Sequence, residues 1–493
     1  MNLQTAFTAA KSALLVNATQ TALVSRNIAG ASESGYSRRL SLVESSGPSG
    51  IRTIGVERAT DLALQNAMLA AQSAGANDSK LIDAFDALHQ TVGDPASGRS
   101  PATLIGSLNS SLIQAASAPQ NQTGLIAAIE VAKKLANALN AGSAAVQKLR
   151  GQADSETASA VDKINTLLSQ FGELSATISL GRKSGADISD ALDRRDAVLS
   201  DLSQQIGIAT ISGPDGEMAV YADGGATLFQ GSARAVTFQA TSNFAPGVSG
   251  NAVYVDGVAV TGPAAAMPIQ SGALAGLSQV RDVVTTKFQT QLDETARGLI
   301  QAFRQTEQSG SVSQSSRTGL FTWAGAPALP QDQIIGLSAQ IAVDPSVDVS
   351  VGGDATLLRD GGIGAAGQSA FISNTTGSAA FSARLTALTD ALGAPWSFAS
   401  DAGLPDRVSV TDFATASIGW LEAGRQAASD AATESSALST QASVARSNAT
   451  GVNIDDQMSR MLDLENSYQA AAKVMATVDA MYTVLFNAMP VNA

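Results

Sequence analysis

Apolar positions recur at alternating steps of three and four at both ends of the chain. Leu3, Phe7, Ala10, Leu14, Asn17, Thr21, Val24 and Ile28 form one seam. Ile454, Gln457, Met461, Leu464, Tyr468, Ala471, Met475, Val478, Tyr482 and Leu485 form the other. A mean step of 3.5 keeps one narrow stripe turned toward a partner helix. The pattern therefore predicts helices over 3–29 and 454–485 that pair as a coiled coil, the first about 40 Å long at 1.5 Å per residue. Gly30 is the expected stop of the first helix. Asn17 is polar on an apolar seam; it either fixes register or faces water at the edge of the contact. A chain with its strongest seams at its two ends closes on itself or assembles with copies of itself.

Between the seams the period changes several times. Residues 31–44 and 52–57 alternate as short extended pieces, with a turn over GPSGI at 47–51. From Asp61, an N-cap residue type, helical spacing runs through Leu64, Met68, Phe85 and Leu88 to a break in GDPASGRSP at 93–101. Helix resumes over 103–117. Apolar residues from Thr123 to Ile178 predict one very long helix or two in series, and a further helix covers 187–206.

From Ile206 the pattern shortens. Turn signals at 214–216, 223–225 and 255–258 separate β-prone runs over 206–211, 218–221, 227–230, 236–238, 253–255 and 258–261. Asp256-Gly257 is the expected two-residue turn of a hairpin. Helix restarts at 271 and is expected to reach 308. Residues 309–404 are mixed: a polar loop, strand-like IAVD and VDVSV, and a short helix from Ser382. Helix returns over 410–448, breaks at 450–453, and the last seam follows.

The predicted fold is mainly α with a small inserted all-β domain, in a nested multi-domain architecture whose N- and C-terminal helices pair as a coiled coil. Residues 1–60 and 445–493 form the terminal-helix domain. Residues 61–205, 272–308 and 405–444 form a helical domain. Residues 206–271 are the β insertion, and 309–404 pack on the helical domain.

Composition narrows the function. Only 15% of the 493 residues are charged and 4% aromatic, so copies could pack closely without desolvating many ions. The net charge of −13 argues against sequence-independent nucleic-acid binding, which needs a basic footprint. No stretch approaches the roughly 18 consecutive apolar residues of a membrane span, so no membrane insertion is expected. Lys11 and Arg26, with no acid in residues 1–32, imitate a mitochondrial presequence, but a seam continuing to Ile28 fits an assembly helix better. No charged segment precedes the first apolar run, so export would proceed without a cleavable signal.

Catalytic chemistry has little to work with. There is no Cys, and His89 is the one histidine, read as a satisfied helix residue. GGIG at 361–364 reads as a turn. Asp344, Asp348 and Asp354 lack the spacing of a calcium loop, and Asp455-Asp456 suits a helix start. No catalytic site, metal or cofactor is expected.

Three stretches carry a resemblance: SRNIAGASESGYSRR at 25–39, SGALAGLSQVRD at 271–282, and TGVNIDDQMSRMLDLENSYQAAAKVMATVDAMYTVLFN at 450–487. They resemble, in order, signatures of the rod, hook and junction axial proteins of the bacterial flagellum, and most of all the hook-associated protein 1 family. Gly30 and Glu33-Ser34 depart from that pattern, while Gly35, Tyr36 and Arg38 keep it. The resemblance implies a structural subunit, exported unfolded by the flagellar type III apparatus, that forms a ring at the hook–filament junction outside the cell. Its implied partners are copies of itself, the hook protein, a second hook-associated junction protein, and a cytoplasmic export chaperone on the C-terminal helix before export. Another axial subunit, such as a hook or distal rod protein, and a secreted adhesin on a helical stalk are the alternatives. The expected assembly interface comprises Leu3, Phe7, Leu14, Asn17, Val24, Ile28, Gly35, Tyr36, Arg38, Ile454, Met461, Leu464, Tyr468, Met475, Val478, Tyr482 and Leu485.

Overall fold

The computed structural model describes residues 3–33, 35–45, 47, 50–93, 98–213, 216–308, 314–364 and 369–488. The turns expected at 47–51, 93–101 and 214–216, the loop after 308 and the Ser34 departure fall partly or wholly outside the described residues.

The first seam folds as α1 (Leu3–Gly30) and leads into an antiparallel hairpin, β1 (Arg39–Ser45) and β2 (Ile51–Arg58), in which Arg39 sits opposite Arg58. Next comes α2 (Leu62–Leu88), capped by Asp61, whose carboxylate accepts from the Ala63 and Leu64 amides. A π-turn carries α2 on to Gly93, and His89 Nε2 lies 3.0 Å from Glu422 Oε1. Then follow α3 (Pro101–Ser117), α4 (Gln122–Ser184) and α5 (Ser189–Gln205). Of the two readings for 123–178, one unbroken helix is the outcome. Its 63 residues end on left-handed Gly185, the conformation glycine adopts without steric cost.

The β insertion is two small three-stranded antiparallel sheets. One holds β3 (Ile208–Ser212), β4 (Met218–Ala222) and β5 (Thr227–Phe229); the other holds β6 (Val236–Thr237), β7 (Tyr254–Val255) and β8 (Val258–Ala259). Asp256 (φ +50°) and Gly257 (φ +80°) form the turn between β7 and β8, the pair of positive angles that a tight hairpin requires.

Helix then resumes as α6 (Ala273–Gln279), a π-turn over 280–284, and α7 (Thr285–Ala302). The expectation of helix to 308 fails here: Gln305 instead pairs with Arg317 in a β-bridge. The following region holds β9 (Phe321–Thr322), β10 (Ala342–Val343), α8 (Thr356–Asp360), α9 (Ala383–Gly393), β11 (Trp396–Ser397) and β12 (Arg407–Val408). VDVSV is not a strand. Asp344 and Asp348 each accept from the amide two residues on, at Ser346 and Ser350, and wind the segment into two short 3₁₀ turns. Asp side chains compete for local backbone donors in this way and defeat the alternation reading.

The chain closes with α10 (Val410–Thr450), running back along α2, and α11 (Ile454–Ala488), lying along α1. One core joins α2, α3, α4, α7 and α10 with Leu320, Phe321, Leu337, Leu358 and Leu385 of the mixed region. A second joins α2, α4 and α5 to both small sheets through Phe171, Leu199, Val220, Leu228 and Val255. Fold class therefore agrees with the expectation: mainly helical, small antiparallel sheets, termini in contact.

Candidate assembly interface

The terminal pair is antiparallel and held in register by two polar bonds. Asn17 Nδ2 donates to Ser467 Oγ at 3.0 Å, and Asn27 Nδ2 donates to Gln457 Oε1 at 3.0 Å. Ten residues forward on α1 match ten residues back on α11. Asn17, Asn27 and Gln457 are all buried. Val24 and Val478 are buried on the seam; Leu3, Phe7, Leu14, Ile28, Met461, Leu464, Met475 and Tyr482 are half-buried.

Three seam residues leave the pair. Ile454, Tyr468 and Leu485 are each about half exposed. Register explains two of them. Ile454 lies across from Gly30, which offers no side chain, and Leu485 falls past the start of α1. Met458, Leu462, Val474, Met481, Val484 and Phe486 are also exposed, so α11 carries apolar surface well outside its contact with α1.

The corner after α1 is built on Asn27. Its Oδ1 accepts from the Arg39 amide at 2.8 Å and the Tyr36 hydroxyl at 3.1 Å; its Nδ2 also donates to the Arg39 carbonyl at 3.0 Å. Gly35 makes the turn with φ +84°. The Tyr36 ring lies against Gly30, where a Cβ would fall 2.5 Å from Cε2. Burial pushes the Tyr36 phenol above its ordinary value. The Arg38 amide donates to the Thr450 carbonyl at 2.8 Å, strapping the corner to the end of α10.

Arg39 is the charged anchor. Its side chain is 1% exposed, with Nη2 2.7 Å from Asp190 and Nη1 2.7 Å from Asp193. Burial alone would lower the guanidinium, but the two carboxylates outweigh it and hold it charged. Arg58, across the hairpin, pairs with Asp193 at 3.0 Å and Asp196 at 2.7 Å; Arg446 of α10 approaches Asp196 at 3.5 Å. Asp190, Asp193 and Asp196 are three apart on α5 and so share a face. Arg26 of α1 joins them through Asp187 at 2.9 Å.

Of the predicted site residues, Asn17, Val24, Gly35, Tyr36, Arg38 and Val478 lie in the buried part of the pair or in its corner, and the half-buried seam residues flank them. The interface expected from the sequence includes Arg38 of the Arg38-Arg39 pair but not Asn27, Arg39, Arg58 or the α5 acids. The three-residue spacing of ISDALDRRDAV was the available signal. Among the described residues, no cluster of His, Cys, Asp and Glu could hold a metal ion, and no helix is long and apolar enough to cross a membrane.

Paired termini, a strapped corner and a long helical column make a mainly helical chain closed through its two ends, and comparison with known proteins shows which axial proteins of the bacterial flagellum it is similar to. Residues 86–321 match the flagellar hook-associated protein FlgK helical domain, and residues 445–487 match the flagellar basal body rod FlgEFG protein C-terminal region. Over these two segments the chain is similar to the flagellar hook-associated protein 1 family, a structural family rather than an enzymatic one. It is 24% identical over 330 residues to flagellar hook-associated protein 1 of Escherichia coli K12, covering 64% of this chain and 60% of that protein. It is also 24% identical over 367 residues to the Salmonella typhimurium LT2 protein of that name, covering 70% and 65%. The match thus spans less than two thirds of each relative. A solved structure of the flagellar hook junction protein FlgK from Burkholderia pseudomallei aligns with a TM-score of 0.40 at 24% identity, covering 52% of this chain and 46% of that one.

Proposed function

We propose that the chain is a structural subunit that forms a ring at the junction between flagellar hook and filament, after export by the flagellar type III system. The observation that carries this reading is the uncovered apolar surface of α11 on a chain similar to this family. Contiguous apolar surface of this kind calls for a partner, and copies of the same chain are the simplest one. In this reading the terminal pair (1–60 and 445–493) forms the inner layer. The helical domain (61–205, 272–308 and 405–444) surrounds it, and the β insertion (206–271) faces outward. Residues 309–404 share the main helical core and belong with that layer.

The assembly interface includes the outward residues Ile454, Tyr468 and Leu485 together with the seam. The hook protein below, a second hook-associated junction protein above, and a cytoplasmic chaperone that covers α11 before export complete the set of partners. Deleting residues 450–493 tests the reading. The truncated chain should stay folded, because both cores lie outside that segment, yet fail to appear at hook tips in electron micrographs. Incorporation of the truncated chain would overturn the account.

A further inference from the structure

A cleft of about 540 Å³ opens between the hairpin, the end of α4, α5 and Gly216. Behind it sits Arg195, only 5% exposed. Its Nη1 donates to the Gly216 carbonyl at 3.3 Å, and its Nε has no partner. No carboxylate among the described residues lies within 4.0 Å of it. Burial pushes its pKa down to about 10, with Asp196 opposing and Arg58 and Arg182 adding repulsion. A buried cation left without its anion is costly. Arg182 lies at the mouth: a Cβ on Gly216 would fall 2.4 Å from its Cζ. Arg182 is exposed and forms no ion pair among the described residues. Glu57, the remaining carboxylate of the lining, is exposed and likewise unpaired. Leu42 and Leu62 give the cleft exposed apolar lips.

We propose that this cleft receives the acidic first turn of α11 from a neighbouring copy of the chain, with Asp455 and Asp456 meeting Arg182 in front of Arg195. The first turn is complementary. Both carboxylates are exposed and unpaired among the described residues, and Ile454 and Met458 beside them are about half exposed. The two patches also lie near one level of the subunit. Gln457 bonds to Asn27, Asn27 to Arg39, and Arg39 pairs in register with Arg58 at the cleft wall. Two different surfaces meeting side by side make a heterologous contact, which repeats around a closed ring. The inference rests on the ring reading and gives it a specific joint.

The absence of Cys from the chain makes the test clean. The full chain carrying both Arg182→Cys and Asp455→Cys, assembled and treated with a short bis-maleimide, should give a ladder of linked multimers on a denaturing gel. Neither single variant should give a ladder. As a second measurement, Arg182→Glu, an exposed change, should cut the multimer fraction about tenfold, and adding Asp455→Lys to the same chain should restore it. No ladder from a double variant that still reaches hook tips would overturn the joint and leave the ring standing. Failure of the unsubstituted chain to reach hook tips would overturn both.

Discussion

Asn27 of the first helix and Gln457 of the last are joined by a buried hydrogen bond of 3.0 Å. Asn27 also holds both polar groups of the Arg39 backbone and the Tyr36 hydroxyl. One amide therefore ties together α1, α11 and the Gly35–Arg39 corner, using both its amino group and its carbonyl oxygen. Asn27→Ala strands the Arg39 amide in a buried site, and unpaired buried groups cost about 1–3 kcal/mol each. The expected loss is about 2–4 kcal/mol, read as a lower urea midpoint together with faster amide exchange at Arg39. An unchanged exchange rate at Arg39 would show that the corner does not depend on Asn27.

Gly30 sits in the last turn of α1, where alanine would ordinarily gain about 0.5–1 kcal/mol. Here the added methyl would fall 2.5 Å from the Tyr36 ring, so Gly30→Ala should destabilise instead. Replacing Tyr36 with Ala removes the clash. The double variant should therefore lose less than the two single losses combined, and a double-mutant cycle gives the coupling. Additive losses would separate the two residues.

Acid should loosen the termini from the column. Burial alone would raise Asp187, but bonds from Ser189 and Arg26 outweigh it and hold the carboxyl below its ordinary 3.8. A carboxyl with a depressed folded value contributes stability above the unfolded value and loses it as pH falls through the folded one. Below pH 3.8, then, the Arg26–Asp187 link between α1 and α5 weakens. Asp187→Asn should abolish its share of the loss in a pH series of exchange at α1. An identical pH profile for the variant would remove Asp187 from the account.

Arg39 is the stabilising ion of the corner. Removing one partner of a buried ion pair costs about 3–5 kcal/mol because the other charge is stranded. Asp190 is 65% exposed while Asp193 is 13% exposed, so the two partners should differ. Asp193→Asn takes a buried carboxylate from both Arg39 and Arg58, which keep Asp190 and Asp196, and should cost about 3 kcal/mol, the lower end of that range; Asp190→Asn should cost under about 1 kcal/mol, as an exposed partner does. Thermal unfolding of the two variants decides it, and equal losses would contradict the burial argument.

The long elements were legible in the sequence because each shows one period over many residues. The terminal seams, α4 and the Asp256-Gly257 hairpin are of that kind. The mixed region resisted because its strands are two residues long and its turns are set by Asp side chains bonding their own backbone, as Asp344 and Asp348 do. At the candidate interface, the seams told which helices pair but not the direction, since a 3.5 repeat serves parallel and antiparallel pairs alike. The ionic corner was hidden for another reason. Arg39 and Asp193 are far apart in sequence, and only the fold of the hairpin against α5 brings them together.

Within the antiparallel pair, Asn17 is the polar residue of the α1 seam that faces α11 near its middle. It is 5% exposed and bonds Ser467 across the pair. A polar residue on a seam costs stability and selects one register, since any slip strands it against apolar neighbours. Asn17→Leu should therefore act in two opposite ways. It adds apolar burial worth about 1–2 kcal/mol, which slows exchange over residues 10–24. It also removes the penalty on slipped pairings. With cysteines introduced at Leu14 and Ala470, which lie across from each other in the observed register, the original chain should cross-link at that pair. The Asn17→Leu variant should cross-link as well when the second cysteine is moved by one heptad along α11. If Asn17→Leu leaves cross-linking confined to the one pair, register is set by Asn27 and the corner alone.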